Sequence, residues 1–323
     1  MPFYFCKHHY MNTLICGSLA FDTIMVFQDQ FKNHLLPEKL HILNVCFFVP
    51  EMRREFGGTA GNIAYNLRLL NGKPLIMATA GNDFATYTQW LAQNDISDRH
   101  IKVIDDSYTA QAFITTDLDD NQITAFHPGA MQQSHLNSVK DAMDVSLAII
   151  APDGRDGMFQ HARECVEAGI PFLFDPGQGL PMFSGDELLG FIEKADYLAV
   201  NDYEAQLMQE KTLLTLEALA AKVTALIVTQ GAKGSTIYAD GQRIEVPCVT
   251  ADALVDPTGC GDAYRAGLLY GISRGWDWLQ SGKLAAVMGA IKIGSRGGQN
   301  HQPSRQEIEA RYEKAFNEKI SLD

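Results

Sequence analysis

The sequence contains no long hydrophobic run and no cluster of basic residues. None of its apolar stretches approaches the roughly 18 residues that a membrane-spanning helix needs, and no signal peptide is evident. The formal net charge is −13, whereas nucleic-acid binding requires a basic surface that releases counterions. We therefore expect a cytoplasmic protein that acts on small molecules, with neither nucleic acid nor a membrane as a partner.

Metal-binding and redox motifs are also missing. The six cysteines include no Cys-x-x-Cys pair and no metal-ligand spacing with histidine, so we expect them to be reduced and mostly buried. The chain lacks a Gly-x-x-x-x-Gly-Lys-[Ser/Thr] loop, and it has no Gly-x-Gly-x-x-Gly segment after the first predicted strand. It therefore supports neither a P-loop enzyme nor a dinucleotide-binding fold.

What the chain does have is a regular alternation of apolar strands and helices. With 323 residues and 46% hydrophobic content, it is long enough for one large domain with a substantial core. The alternation predicts an α/β fold in which helices cover both faces of a mainly parallel sheet. The predicted strands are 13–17, 75–80, 147–151, 172–175, 197–200 and 225–229, the predicted helices are 60–70, 83–93, 158–168, 282–294 and 303–316, and a hairpin joins 235–239 to 242–246 through Asp240 and Gly241.

The most informative stretch is residues 256–262, Asp-Pro-Thr-Gly-Cys-Gly-Asp, which leads into a predicted helix. Its glycines permit a tight turn with accessible N–H groups, and the helix N-terminus adds positive partial charge, so the stretch is typical of an anion site. Asp262 would repel a bound phosphate. We interpret it as a general base that accepts a proton from an attacking hydroxyl, while the amides of Gly259, Cys260 and Gly261 form an anion hole for the transferred group. The alternative is that Asp262 only caps the helix.

Residues 256–262 resemble the C-terminal signature of the ribokinase-like (PfkB) carbohydrate and nucleoside kinases. That family has a second signature, a Gly-Gly pair followed by asparagine, which Gly57, Gly58 and Asn62 match. Because both signatures are present in the family's order, the resemblance is specific, and it runs from about Met11 to the end. It implies a three-layer α/β/α sandwich with a mainly parallel central sheet and a small β-sheet lid.

The resemblance also implies how the chain is divided. The kinase domain is expected to span residues 11–323, with residues 1–10 as an extension before a start at Met11. The lid is expected from segments of about 23–56 and 108–128, the second of which contains two strand-like runs joined by a turn. Such a lid excludes water, which would compete for the phosphoryl group.

Four residues are expected, by resemblance, to hold the acceptor substrate, namely Asp22, Gly57, Gly58 and Asn62. The carboxylate of Asp22 can accept hydrogen bonds from two neighbouring hydroxyls of a sugar. An aspartate that follows a strand is also a common turn residue, and this is the alternative for Asp22.

The nucleotide is expected at two further motifs. Asn201 and Glu204 resemble the family's Asn-x-x-Glu pattern, which organises Mg²⁺ and phosphate largely through water. The same spacing is that of a helix capping box. Thr229, Gly231 and Gly234 resemble the loop whose hydroxyl and amides hold the phosphates of ATP, and a plain strand-to-hairpin turn explains them equally.

Two loops bear on the charge of the site. Residues 294–299 resemble the loop that completes a monovalent-cation site with the Asp256 region, which makes K⁺ a candidate cofactor. Residues 175–178, Asp-Pro-Gly-Gln, depart from the family's Asp-Pro-x-x-Arg pattern. Arg155 and Arg265 are candidates for the missing positive charge, and each is also explained as an ordinary salt-bridge residue.

The resemblance implies a kinase that moves the γ-phosphoryl group of ATP to a primary hydroxyl with Mg²⁺. Aromatic residues of the predicted lid would stack on a nucleobase, or would form the lid's own core or a dimer interface; they are Phe47, Phe48, Phe113 and Phe126. Segments 127–131, 175–178 and 261–267 are more similar to the adenosine and broad nucleoside kinases of the family than to its sugar kinases. We therefore expect phosphorylation of the 5′-hydroxyl of adenosine or a related purine nucleoside, in purine salvage, with a homodimer through the lid as a candidate assembly. A ribose or fructose kinase and a non-catalytic nucleoside sensor are the alternatives.

Overall fold

The structure, a computed structural model, describes residues 12–35, 42, 44–119 and 121–322. The strands are β1 (Asn12–Cys16), β2 (Ala20–Val26), β3 (Glu51–Gly57), β4 (Pro74–Gly81), β5 (Ser97–Ile104), β6 (Ala110–Thr116), β7 (Gln122–His127), β8 (Val145–Ile150), β9 (Phe172–Phe174), β10 (Tyr197–Asn201), β11 (Ala225–Thr229), β12 (Ser235–Ala239) and β13 (Gln242–Val246). The α-helices are α1 (Thr59–Leu69), α2 (Ala85–Gln93), α3 (Arg155–Ala168), α4 (Gly185–Ile192), α5 (Asp202–Thr212), α6 (Leu216–Ala220), α7 (Cys260–Ser273), α8 (Trp278–Lys292) and α9 (Arg305–Phe316).

The larger sheet has nine strands in the order β13-β12-β11-β10-β9-β8-β1-β4-β5. From β11 to β5 every neighbouring pair is parallel, and β12 and β13 form an antiparallel hairpin at one edge. Side chains of a strand alternate between two faces, so Ile15 packs in one hydrophobic cluster while Leu14 and Cys16 pack in another. Helices α1, α2, α7, α8 and α9 contribute to the first cluster and α3 to α6 to the second. This arrangement confirms the predicted three-layer α/β/α fold.

Most predicted elements lie within a few residues of the observed ones, and the hairpin of β12 and β13 has the predicted limits. Asp240 and Gly241 both adopt positive φ, 52° and 70°, as a two-residue hairpin turn requires. The prediction missed the edge strand β5 and helices α4 and α6. Strand β5 begins with Ser-Asp-Arg-His and buries only its last residue fully, so hydrophobic periodicity does not reveal it.

The second sheet, which we call the small sheet, has the strand order β3-β2-β6-β7 and corresponds to the predicted lid. Strand β2 runs antiparallel to β3 and parallel to β6, and β7 runs antiparallel to β6. Asp22 lies in register with Glu55 and Ala112, and Ala112 lies opposite Phe126. These four side chains therefore share one face of the small sheet.

The opposite face of the small sheet is held on the main body by aromatic rings. The rings of Phe21 and Phe56 pack against Tyr87 of α2 at centroid distances of 5.6 and 4.9 Å. Phe56 also stacks on Trp90 of the same helix at 5.2 Å. The register of the small sheet thereby fixes which of its faces is turned away from α2, and that face carries Asp22.

The aromatic residues predicted to stack on a base do not form one surface. Phe47 packs against Phe27 and Phe31 with ring centroids 4.9 and 5.0 Å apart, so it belongs to the lid's own core. Phe48 is 81% exposed. Phe113 lies opposite Ala125 in β7, one position from Phe126, and therefore on the other face from Asp22. Of the two strand residues, Phe126 is the one that shares the face of Asp22.

Three predictions concern the chain as a whole. The predicted extension at residues 1–10, with Met11, lies outside the described residues, and the limits of the kinase domain and the lid stay predictions. In the described part of the chain, no helix is both long enough and apolar enough to cross a membrane. Among the cysteines that the structure describes, Cys16 and Cys165 are buried whereas Cys46 and Cys248 are exposed, so the prediction of mostly buried thiols is wrong.

Candidate active site

The two signature stretches meet where α1 and α7 begin. Both helices follow a glycine with positive φ, 84° at Gly58 and 77° at Gly259. A Cβ atom on Gly58 would lie 2.5 Å from the carbonyl oxygen of Ser18, so no larger residue fits there. Asn62, in the first turn of α1, donates a hydrogen bond from Nδ2 to Oδ2 of Asp262 at 2.8 Å. Two residues that are 200 positions apart are thereby joined between two helix N-termini, where partial positive charge is concentrated.

Asp262 has a pKa suited to a general base. It is the third residue of α7, and the N-cap position is occupied by Gly259, so Asp262 does not cap the helix. Burial raises the pKa of Asp262 to about 7, and the nearby charge of Asp22 adds to this rise, although the hydrogen bond from Asn62 acts in the opposite direction. A base is most effective when its pKa lies near the working pH, because it is then both ionised and able to hold a proton.

Asp22 lies on β2 beside Gly57, and not in a turn. A Cβ atom on Gly57 would lie 2.5 Å from Oδ2 of Asp22, so the glycine makes room for the carboxylate. Burial, followed by the charges of Asp256 and Glu55, raises the pKa of Asp22 to about 6. The charge of Asp22 also raises the pKa of Asp262. The structure thus brings the predicted acceptor residues together beside the predicted base.

A buried hydrogen-bond network orients the amide of Asn62. Gln299 donates from Nε2 to Oδ1 of Asn62 at 3.0 Å and to Oη of Tyr87 at 2.7 Å. Trp90 donates from Nε1 to Oε1 of Gln299 at 2.8 Å, and Tyr87 donates to the carbonyl oxygen of Gly57 at 2.8 Å. Because Oδ1 of Asn62 accepts from Gln299, the Nδ2 group of the same amide is turned toward the carboxylate of α7.

Sequence reasoning missed this network. Gln299 has no signal in the sequence beyond its place after two glycines in the 294–299 loop. Tyr87 and Trp90 stand three residues apart on α2, a spacing that indicates a core-facing helix stripe and nothing more. Their contacts depend on where the C-terminal loop passes, which no local pattern encodes.

A cavity of about 480 Å³, which we call the phosphate cavity, lies beside Asp262 at the carboxyl ends of the strands. Arg265 lines this cavity, is buried, and forms two hydrogen bonds to Asp175, from Nε to Oδ2 at 3.0 Å and from Nη2 to Oδ1 at 3.3 Å. Arg155 pairs instead with the half-buried Glu187 away from the cavity. Of the two candidate arginines, Arg265 is therefore the one that brings positive charge to the site. The predicted nucleotide and anion-hole residues on the wall are Asn201, Glu204, Thr229, Gly231, Gly259 and Gly261.

Asn201 and Glu204 form a capping box and also line the phosphate cavity, so the capping interpretation is confirmed and the role toward Mg²⁺ and phosphate stays a prediction. Oδ1 of Asn201 accepts from the N–H of Glu204 at 2.7 Å, and Oε2 of Glu204 accepts from the N–H of Asn201 at 2.8 Å. Burial and the charge of Asp175 raise the pKa of Glu204. A divalent cation would relieve this repulsion between carboxylates, so Glu204 fits the predicted role toward Mg²⁺. Among the described residues, no cluster of three acidic, histidine or cysteine side chains able to hold a metal is found.

A second cavity, of about 620 Å³, meets the phosphate cavity at Thr229, Gly231 and Gly261. We call it the apolar cavity, because its wall consists mainly of small and aliphatic residues. They include Ala232, Val249, Ala251, Leu254, Ala286, Gly289, Ala290 and Ile293. The apolar wall suits a nucleobase, with the phosphates directed toward Asp262.

Two residues predicted to bind phosphate lie on the apolar cavity instead, namely Gly234 and Cys260. Gly234 has φ 91° and forms the turn before β12. The N–H of Cys260 donates to the carbonyl oxygen of Pro257 at 3.1 Å, so it is engaged within the turn. Of the predicted anion hole, Gly259 and Gly261 therefore remain at the phosphate cavity.

The loop that starts at Asp256 is tied to the 294–299 loop. The carboxylate of Asp256 accepts from the N–H of Thr258 and from the N–H of Gly297, both at 2.9 Å. Burial alone would raise the pKa of Asp256, but these two bonds hold it below its ordinary value. Lys292 donates from Nζ to the carbonyl oxygen of Asp256 at 2.7 Å and to that of Ser295 at 3.0 Å. An ammonium group thus lies where the two loops of the predicted cation site meet.

Several known proteins are similar to this chain. Residues 43–305 match the model of the family described as pfkB family carbohydrate kinase. The nucleoside kinase of Methanocaldococcus jannaschii is 32% identical over 280 residues, which cover 86% of this chain and 92% of that protein. The structure of Burkholderia thailandensis nucleoside kinase in complex with inosine is 52% identical, covers 95% of this chain and 99% of its own, and superposes with a TM-score of 0.87. The same kinase in complex with ADP-inosine gives a TM-score of 0.85.

Proposed function

Since this chain belongs to the pfkB family of carbohydrate kinases, we propose that it transfers the γ-phosphoryl group of ATP to the 5′-hydroxyl of a purine nucleoside, adenosine being the expected acceptor. The observation that carries the proposal is the pair formed by Asp262 and Asn62, a carboxyl group with a pKa of about 7 at a helix N-terminus, held by a buried amide. The nucleoside kinases at 32% and 52% identity support a nucleoside over a free sugar as the acceptor.

The chemistry assigns one step to Asp262. Its carboxylate accepts the proton of the 5′-hydroxyl as the hydroxyl oxygen forms a bond to the γ-phosphorus, and the bond from that phosphorus to the bridging oxygen of ADP breaks. The N-terminus of α7 and the amides at Gly259 and Gly261 stabilise the negative charge on the transferred group. Arg265 adds a fixed positive charge on the same wall, moderated by its ion pair with Asp175.

The two connected cavities suit ATP. Its base occupies the apolar cavity and its phosphates pass Thr229 and Gly231 toward Asp262. Mg²⁺ neutralises phosphate charge when it is bound, and Glu204, together with Asn201, is the residue that would hold its water ligands.

The acceptor is bound on the other side of Asp262. The carboxylate of Asp22 accepts hydrogen bonds from the ribose diol, and Asn62 fixes the position of the sugar relative to the base. Phe126 stands on the same face of the small sheet as Asp22 and is 50% exposed, which gives the purine a stacking surface. The small sheet acts as a lid that excludes water, and its exposed strand β7 is the surface through which two copies would form a homodimer.

The test is an ADP-release assay with ATP and Mg²⁺ against adenosine, inosine, guanosine, cytidine, ribose and fructose. Turnover with nucleosides and none with the free sugars supports the proposal, whereas the reverse result leaves the role of Asp262 in place and overturns the acceptor. Asp262→Asn is expected to bind both substrates and lose turnover by about 10²- to 10⁴-fold. Asp156→Asn is the matched control, because it removes an exposed carboxylate from the first turn of α3, outside both cavities.

A further inference from the structure

Lys292, the last residue of α8, is completely buried although its side chain carries a charge. Fully buried lysines are rare, because the loss of hydration disfavours the ammonium form. Burial accordingly lowers the pKa of Lys292, while the charges of Asp256 and Asp262 act in the opposite direction. Such a group is retained only where the protein gains something specific from the charge.

The surroundings of Lys292 are those of a monovalent cation. Its Nζ donates to the backbone carbonyl oxygens of Asp256 and Ser295, at 2.7 and 3.0 Å. These carbonyls come from two separate loops, and the C-terminal end of α8 adds the negative end of a helix dipole. Backbone carbonyls gathered around a single positive charge are the ligand type by which proteins replace the hydration shell of K⁺.

We propose that the ammonium group of Lys292 is a built-in substitute for the monovalent cation that the family resemblance leads one to expect at these loops. The ammonium group of Lys292 already lies between the Asp256 region and the 294–299 loop, where the cation was expected, and its charge would repel a second cation, so K⁺ does not fit there as a cofactor. For its effect on turnover, this inference depends on the kinase activity proposed above.

The two loops that Lys292 joins lead to residues of the proposed active site. One leads from Asp256 to Gly259 and on into the first turn of α7. The other leads to Gly298, whose Cα would lie 3.1 Å from a Cβ atom on Gly259, and to Gln299, which holds Asn62. Lys292 is therefore a positioning residue. Its charge also interacts with Cys260 and Asp262, so Lys292 adds positive potential to the turn where α7 begins.

The experiment compares the wild-type protein with Lys292→Met in buffers of equal ionic strength that contain tetramethylammonium, Na⁺, K⁺ or NH₄⁺ chloride. We expect wild-type turnover to be the same in all four salts. In tetramethylammonium, Lys292→Met should lose about 10- to 100-fold in kcat, because displacement of the loops by a fraction of an ångström misaligns the reacting groups. Saturating K⁺ or NH₄⁺ should restore a large part of that loss with little change in KM for the nucleoside.

Lys283→Met is the matched control. Lys283 is a second buried lysine of α8, but its ammonium pairs with the carboxylate of Glu318 at 2.6 Å, away from the loops. This variant should show no dependence of kcat on the cation. A general need of α8 for its lysines would instead make the two variants behave alike.

Several outcomes would overturn the inference. They are a saturable stimulation of the wild-type protein by K⁺ but not by tetramethylammonium, full activity of Lys292→Met without added cation, and a folded Lys292→Met that no cation rescues. If Lys292→Met does not fold, the salt profile of the wild-type protein decides alone. Calorimetric titration with ADP in the same four salts needs no acceptor, so a cation effect on ADP affinity can be read even if none of the nucleosides is phosphorylated.

Discussion

Replacing Asp262 with asparagine should stabilise the folded protein at pH 8 while it removes turnover. The carboxylate is half-buried between two helix N-termini, and its pKa rises from 3.8 to about 7. The ionised form is therefore disfavoured in the folded state relative to the unfolded one. Asparagine has nearly the same shape and can still accept the hydrogen bond from Asn62 through its Oδ1, but it carries no charge.

The direction with pH follows from proton linkage. Between about pH 4 and pH 7 the folded protein binds more protons at Asp262 than the unfolded chain does, so this residue lowers the stability progressively as pH rises. This loss of folding free energy is nearly absent below about pH 4 and complete above about pH 8. Each unit of pKa corresponds to about 1.4 kcal/mol, so a rise of about three units sets an upper limit of about 4 kcal/mol. Residual access of water to the cavity reduces this, and we expect about 2 to 4 kcal/mol.

Thermal unfolding measures the effect. An unfolding entropy of about 2.1 cal/mol/K per residue gives about 0.7 kcal/mol/K for a chain of this length, so Asp262→Asn should raise Tm by about 3 to 6 °C at pH 8. Near pH 4.5 the Tm difference should shrink to about 1 to 2 °C, because most of the ionisation of Asp262 in the folded state lies above that pH. A Tm difference that is the same at both pH values, or an asparagine variant that is less stable at pH 8, would refute a raised pKa for Asp262 and with it the argument for its role as a base tuned by burial.

Three further predictions concern the same region. The ratio kcat/KM should fall as pH decreases below about 7, because Asp262 and Asp22, with pKa values of about 7 and about 6, must both be ionised. A kcat/KM that is constant between pH 5 and 8 would contradict this. Gln299→Leu should lower kcat by about 10- to 100-fold, because it releases the amide of Asn62. The control Gln302→Leu, at an exposed position, should leave kcat unchanged. If steady-state kinetics give unchanged KM values for both substrates, the loss in kcat comes from misaligned reacting groups. Arg265→Met should destabilise the fold by about 3 to 5 kcal/mol in urea unfolding, since it leaves Asp175 buried without its partner. The double variant with Asp175→Leu should recover much of that loss of stability. If it does not, the loss is not an effect of the unpaired charge.

The fold could be predicted from the sequence because most of its elements are specified locally. The hairpin of β12 and β13 has the predicted limits since Asp240 and Gly241 dictate a turn, and the core strands are continuous apolar runs. The misses have local causes too. Strand β5 lies at an edge with mostly polar residues, and α6 has only five residues, which is too short for a helical period to emerge.

The candidate site could be predicted in part. The signature residues Asn62 and Asp262 meet as expected, because each lies in the first turn of a helix whose direction the sheet fixes. The placement of Cys260, whose N–H bonds within its own turn, could not be read from the motif. Nor could the contacts of Gln299, since they join residues more than 200 positions apart and depend on the path of the C-terminal loop.

The indole of Trp90 gives the catalytic centre an optical readout. Its Nε1 bonds to Gln299, which in turn holds Asn62, and its ring is stacked on Phe56 of the small sheet. The two other tryptophans of the chain, Trp276 and Trp278, pack against Tyr270 and Tyr197, away from this network. Intrinsic fluorescence that changes when a nucleoside enters and disappears in Trp90→Phe would therefore report the state of the Asn62 amide and of the small sheet, without a label and without turnover.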